Sequence, residues 1–593
     1  MVTQSTADQA TAVSDVRGAD HLLLQASRHG RVWTLLLAVT AVLGTVAEIA
    51  LPALLGRTVD SLVFAQSSLV WVIGCVAVVV LLVLCDTLGG LAAGRGSAAG
   101  TAWLRHTMIQ HMLALGDRAT QRFSRGDLVS RLVSSAAEAG NAAAVVVWAT
   151  LSFVPSIGSL VALWLIYPWL AVAFVTGLPI LVVLLRSFAR DTTDLITRYQ
   201  RSQGRIAAAL MDALGGIRTI RAAATLDREQ GRVLRELPAL SELGHGTWRA
   251  QTRISAQGAL IVPLLEVAVL SVAGFALSAG HISHGEMIAA WRYVALGTGF
   301  GMPAMLLARL ARARGGGRRV HEVLTEPAMR YGTASLPAGP GELEFRNISL
   351  VVAQEQVFDG LNLVVPAGSS LAVVGRSGTG KSLLAAIAGR LLDPDVGDVV
   401  LDGVPLSTLN RKEIRDAIGY AFERPALVGE TLADVIGLGL HQPSADLIEQ
   451  AARAAQADAF IERLPQGYRT RLQKAPLSGG EAQRLGLARA FAHNGRVLIL
   501  DDATSSLDTA TELQISSILT GQLSDRTRII VAHRASTAAL ANLVVWLDEG
   551  RIRAIGPHRD LWRNPAYRAN FTPGVPPAGS ASPVDRIAAE ETS

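Results

Sequence analysis

Lysine is nearly missing from this chain: Lys381, Lys412 and Lys474 are the only three in 593 residues. The net charge of +5 is therefore carried by arginine. A nucleic-acid binder concentrates its cations on one face or in one segment. Here the arginines are scattered between apolar runs, which argues against a nucleic-acid partner. Charge of either sign is scarce, at 17% of residues against about 25% in soluble domains. With half the residues hydrophobic, that shortfall excludes a disordered chain and argues against an ordinary soluble enzyme. Cysteine is limited to Cys75 and Cys85, which share one apolar run. On a helix they are ~15 Å apart, too far for a disulfide, so no disulfide framework exists. The N-terminal stretch has no apolar core of the signal-peptide kind. Residues 1–25 read as a cytoplasmic tail, and the Pro/Ala/Ser-rich residues 571–593 as a second disordered tail.

Long apolar runs are what the chain has in excess. A bilayer-spanning helix needs about 20 predominantly apolar residues. Six runs qualify: 32–56, 68–93, 140–167, 169–188, 255–280 and 285–310. The third and fourth are parted only by the turn Tyr167-Pro168-Trp169. Two long connections are rich in arginine. One carries Arg95, Arg105, Arg118, Arg122, Arg125 and Arg131, and the other has arginines from Arg186 to Arg253. The remaining connections are short and nearly free of Lys and Arg, so both long loops and both termini are expected in the cytoplasm. Helical patterning in the long loops predicts helices that continue out of the membrane. Glu48, Asp86, Glu266 and Arg292 interrupt the apolar runs. Ionisable residues there are candidates for a substrate cavity, or for pairs between helices such as Glu266 with Arg292. Three acids against one base suit a cationic or amphipathic small-molecule substrate.

The expected organisation is a six-span helical transmembrane domain over 26–313, a linker over 314–341 and an α/β domain over 342–570. The linker starts at Gly315, Gly316 and Gly317, each of which weakens a helix by up to ~1 kcal/mol. Beyond it, β-rich runs alternate with helical ones.

The strongest chemical signal follows the run Ser370-Leu371-Ala372-Val373-Val374. It is Gly375-Arg376-Ser377-Gly378-Thr379-Gly380-Lys381-Ser382, leading into an apolar helix. This is the phosphate-binding loop between strand and helix. Its glycines let backbone N–H groups turn toward phosphate oxygens, Lys381 supplies a point charge, and the Ser382 hydroxyl can ligate Mg²⁺. A chance Gly-rich turn is disfavoured by the strand before it and the helix after it. The second element is Val497-Leu498-Ile499-Leu500-Asp501-Asp502, a buried strand ending in two acids. Ligands bind at the C-terminal edge of a parallel sheet. Asp501 is then a Mg²⁺ partner, and Asp502 is placed to act on an attacking water.

Between them lies Leu477-Ser478-Gly479-Gly480-Glu481. Together these motifs resemble a half-transporter of the ATP-binding-cassette superfamily, with the six-helix exporter fold, over about residues 20–570. The resemblance implies ATP and Mg²⁺ as cofactors and a second half-transporter as partner. It also implies an integral location in the cell membrane, with the cassette in the cytoplasm. Two cassettes of this family sandwich two ATP molecules, so Leu477–Glu481 would serve the partner's nucleotide. Ser505-Ser506-Leu507-Asp508 resembles the family's dimer-contacting loop, and His533 its γ-phosphate-sensing switch. The run from Phe123 to Arg131 is similar to the first inner loop, and Gly216–Arg221 to the segment before the fifth span.

Four departures stand out. Glu423 occupies the lid-loop position of the family's Gln, where it can still ligate Mg²⁺ but adds negative charge. Asp502 replaces the catalytic Glu and is one methylene shorter. Val352 replaces the aromatic that stacks on adenine, and Arg471–Pro476 is a shortened approach to the signature. Three of these fall on the chain's own ATP-binding half, while the signature is complete. The expectation is therefore one half of a heterodimer with one degenerate ATP site, a homodimer being the alternative. An importer of siderophore-like compounds and a weakly hydrolysing regulatory subunit are the other readings.

Overall fold

The computed structural model describes residues 17–571, apart from 65–68, 117–118, 120–121, 299–300 and 353–354. It divides into two compact units. One comprises the chain to Leu113 and Phe123–Glu326; the other comprises Ala114–Arg122 and the chain from Pro327.

The first unit is helical. Helix Leu69–Leu115 has 47 residues and Pro168–Gly215 has 48. At 1.5 Å per residue each is ~70 Å long, more than twice a ~30 Å bilayer core. The expectation that helices extend past the membrane is met. Among the described residues, four helices are long and apolar enough to cross a membrane: Arg31–Val63, Leu69–Leu115, Arg125–Ile166 and Ala259–Ser278. Pro168–Gly177 is a shorter apolar stretch. The fourth expected run, 169–188, has most of its side chains past Gly177 outside the described residues. The sixth is divided between His284–Gly297 and Gly301–Leu324. Among the described residues, length and composition therefore do not confirm the count of six. The Tyr167 turn is as expected. Tyr167 is extended (φ −160°, ψ 122°) and Pro168 opens the next helix, because a residue before proline avoids helical geometry.

Two expectations are corrected. Residues 17–29, most of them assigned to a tail, form a helix that buries Ala19, Leu22 and Ala26. The glycines at 315–317 do not break the chain: helix Gly301–Leu324 runs through them. Gly316 and Gly317 serve close packing. A Cβ on Gly316 would lie 2.7 Å from the Ser135 carbonyl oxygen, and one on Gly317 3.1 Å from Leu23. Small residues elsewhere do the same, since a Cβ on Gly285 would sit 1.9 Å from the Gly56 carbonyl oxygen. Arg131, in a π-helical turn, donates to Asp127 at 2.8 Å and to Glu322 at 2.6 Å, tying the first inner loop to helix Gly301–Leu324.

The second unit holds two sheets. Strands β1 (Leu343–Val352), β2 (Glu355–Val365), β4 (Val396–Leu401) and β5 (Val404–Pro405) pair antiparallel in the order β2-β1-β4-β5. The six-stranded sheet has the order β10-β9-β3-β8-β7-β6. Its members are β3 (Ser370–Val374), β6 (Ile418–Phe422), β7 (Val497–Asp501), β8 (Thr527–Val531), β9 (Leu543–Asp548) and β10 (Arg551–Gly556). All pairs are parallel except β10 with β9. Every residue of β3 is buried, as a strand covered on both faces requires.

Candidate nucleotide-binding site

Sheet order assembles the site. Parallel neighbours β3, β8, β7 and β6 end at one edge. In register, Asp501 faces Val531 on one side and Phe422 on the other. The residues just beyond these ends are the phosphate loop, His533, Asp502 and Glu423. Segments far apart in sequence thus meet where a parallel sheet binds ligands.

The loop after β3 is shaped by glycine. Gly378 and Gly380 have φ of 86° and 90°, left-handed values that favour glycine. Gly380 also caps helix Lys381–Ala388, and a Cβ there would sit 2.8 Å from Val357 and Phe358. A Cβ on Gly375 would meet the Leu547 carbonyl oxygen at 2.5 Å. Lys381 is 5% exposed. Its Nζ donates to the carbonyls of Gly375 at 2.9 Å and Arg376 at 2.7 Å. Arg376, Ser377 and Gly378 face solvent, and Thr379 Oγ1 donates back to Arg376 O at 2.9 Å. Burial pulls the Lys381 ammonium below its ordinary pKa, against the opposing pull of Asp502 and Asp501. A loop of this form, with its lysine and helix N-terminus, fits a polyphosphate.

Ser382 Oγ donates to Asp501 Oδ1 at 2.8 Å, and Tyr420 OH lies 3.4 Å from Oδ2. A hydroxyl beside a half-buried carboxylate is the oxygen donor set that suits Mg²⁺. Burial raises the Asp501 pKa above the usual carboxylate range, the two hydrogen bonds pull it back, and Glu423 adds to the rise. Asp502 is raised for the same first reason, with His533 opposing and Glu423 reinforcing. His533 Nε2 stands 3.9 Å from Asp502 Oδ2. Asp502 has φ 49°, a left-handed backbone that aspartate tolerates better than most residues. Glu423 is half-exposed and pairs with Arg424 at 3.5 Å.

The signature starts helix Gly479–Ala492, with Ser478 at the N-cap. Ser478 and Glu481 form a capping box: Glu481 N donates to Ser478 Oγ at 3.3 Å, and Ser478 N donates to Glu481 Oε2 at 2.8 Å. Leu477 is half-buried, and a Cβ on Gly480 would reach the Ser506 carbonyl oxygen at 3.2 Å. One residue escaped the sequence reading. Gln483, two positions past the motif, is buried and bonds to Glu423, Ser505 and Ser506. A lone glutamine in a helix gives no sequence signal for that.

The intramembrane candidates do not converge. Glu48 lines a cavity of about 440 Å³ with Thr45, Trp148, Ser152, Ser156 and Arg309. Glu266 accepts from the Trp291 indole at 3.4 Å rather than pairing with Arg292. Asp86 and Arg292 are exposed.

This geometry defines a P-loop ATP-binding domain fused to a helical membrane unit. Comparison with known proteins makes the assignment more specific. Residues 358–505 match the ABC transporter family, and residues 34–296 match the ABC transporter transmembrane region. The chain is 44% identical over 546 residues to the ABC transporter ATP-binding protein RamA of Streptomyces coelicolor, covering 92% of this chain and 86% of that one. It is 30% identical over 484 residues to an ATP-dependent lipid A-core flippase of Pseudomonas fluorescens, covering 79% of each. A bacterial Atm1-family ABC exporter with ATP bound shares the fold, with TM-score 0.75 at 24% identity over 93% of this chain and 99% of that one. The chain belongs to the ABC transporters. It is an exporter-type half-transporter, an integral membrane protein whose ATPase is coupled to transport.

Proposed function

We propose that this chain is one half of a heterodimeric exporter at the plasma membrane, with its cassette in the cytoplasm. In this reading the membrane domain spans 26–313 six times and the cassette occupies 342–570. One ATP sits on Gly375–Ser382 with Asp501 and Asp502 and is turned over slowly. The other sits on the partner's phosphate loop and is completed by Ser478, Gly479, Gly480 and Glu481. Ser382 and Asp501, with Glu423, would hold Mg²⁺, which neutralises phosphate charge when bound. Asp502 and His533 flank the terminal phosphate. The observation that carries the reading is an asymmetry within one cassette. The shortened Asp502 stands beside the added charge of Glu423, whereas the signature is complete and capped. A misplacement of ~1 Å at the reacting water costs ~100-fold in rate, so a missing methylene suffices to slow one site. The cavity beside Glu48 and Arg309 supports a small amphipathic substrate.

The test is a ranking in the purified complex. Asp502→Glu should change its ATPase by less than about twofold, and Ser478→Arg should lower it by about 20-fold or more. If Asp502→Glu is the larger effect, the two-site reading is wrong.

A further inference from the structure

Gln483 occupies an unusual position for a side chain with no motif of its own. It is 3% exposed on the signature helix, about one turn past Gly480. Its Nε2 donates to Glu423 O at 2.7 Å and to Ser505 Oγ at 3.0 Å. Its Oε1 accepts from Ser506 N at 2.9 Å. The orientation of the amide is fixed by chemistry. Glu423 O can only accept and Ser506 N–H can only donate, so a flipped carboxamide would lose both bonds. One buried amide therefore joins three segments: the turn after β6 that reaches the chain's own acidic pair, the loop 505–508, and the signature helix.

We infer that Gln483 is a positioning residue that passes nucleotide occupancy of this chain's own site to the loop and signature it lends to its partner. The inference rests on the two-site reading above and adds the route between the sites. Glu423 follows directly on Phe422, which pairs in register with Asp501, so the turn is anchored to the strand end where nucleotide and Mg²⁺ would sit. The Glu423 carbonyl is fixed to Gln483. Any shift of that turn is carried to Ser505 and Ser506 by hydrogen bonds that are costly to leave unmade in a buried place. The Gln483 amide is committed to these three protein partners. This arrangement gives a slowly hydrolysing site a function: its occupancy sets the geometry of the active one.

The experiment is amide hydrogen exchange on the assembled transporter in detergent, with and without Mg²⁺ and a non-hydrolysable ATP analogue. In the wild type, nucleotide should slow exchange in both 375–382 and 503–508. Gln483→Met removes all three bonds at similar volume. Gln483→Glu keeps an acceptor for Ser506 N but turns the donor to Glu423 O into a repulsion. In both variants the slowing over 375–382 should persist, while that over 503–508 falls by about threefold or more. The kcat for ATP should drop about tenfold with KM changing less than about twofold. If the 503–508 response survives in both variants, Gln483 is only a packing residue and the inference falls. If the wild type shows no slowing at 375–382, the own-site reading fails first and takes the inference with it. Should the Met variant fail to fold, the Glu variant decides.

Discussion

Val352 closes strand β1, half-buried and opposite Glu355 in register. Where the family places an aromatic over adenine, this side chain offers apolar area but no ring face. Stacking of a base on an aromatic is worth ~1–3 kcal/mol. Val352→Tyr should therefore tighten ATP binding at the chain's own site by about tenfold, read by titration calorimetry on the purified transporter. An unchanged affinity would mean that residue 352 is not beside the base. The same side chain shows what a sequence can reveal at this scale. The phosphate loop was legible because its residues are contiguous and its chemistry demands glycine at fixed offsets; the structure adds that Gly378 and Gly380 are left-handed. Asp501 and Asp502 were legible because an apolar strand announces its end. Gln483 was not, because its partners Glu423 and Ser505 are 60 and 22 residues away in sequence. Only the fold brings them within reach of one amide.

The C-terminal elements form a small aromatic unit with its own pH response. His558 opens the short helix His558–Leu561, with its Nδ1 2.9 Å from Tyr567 OH and its ring 5.0 Å from Trp562. Tyr567 is buried and meets Trp546 edge-on at 5.7 Å. Burial holds the His558 imidazole below its ordinary pKa. A lowered histidine pKa means that the folded state favours the neutral ring. The stability this contributes is present above the unfolded value of about 6.5 and is lost as pH falls through the folded value. Resistance to thermal unfolding should therefore weaken below about pH 6.5. His558→Phe should flatten that slope while costing up to about 1 kcal/mol at pH 7.5 through the lost Tyr567 hydrogen bond. Equal slopes in both proteins would remove His558 as the cause. Elements also show where sequence reading goes astray. Propensity makes Gly315–Gly317 a break, yet the helix continues, and Ser135 and Leu23 approach Gly316 and Gly317 too closely for side chains. A glycine's use in tertiary packing leaves no trace in its local sequence.

At the scale of the whole molecule, the α/β cassette and helical membrane unit followed from hydropathy and motif order, since both are encoded in runs of residues. The number of crossings is not confirmed by the described helices. Helices of 47 and 48 residues outrun any bilayer, so apolar length alone cannot mark where a crossing begins or ends. Assembly is a property of two chains, and here the argument turns on symmetry. A homodimer repeats every feature twice. Both of its ATP sites would then carry the short Asp502, the charged Glu423 and the aliphatic Val352, with no site built from the family's usual parts. A heterodimer confines those departures to one site and lets the capped signature at Ser478 complete the other. The intact mass of the complex from its native host should therefore show this 62.5 kDa chain paired one-to-one with a different half-transporter. That partner should carry a glutamate where Asp502 stands here. A complex of two identical chains would overturn this. Asp502 would then be the acid at both sites, and Asp502→Glu, expected to be nearly silent in a heterodimer, would become a substitution that raises the turnover of the whole transporter.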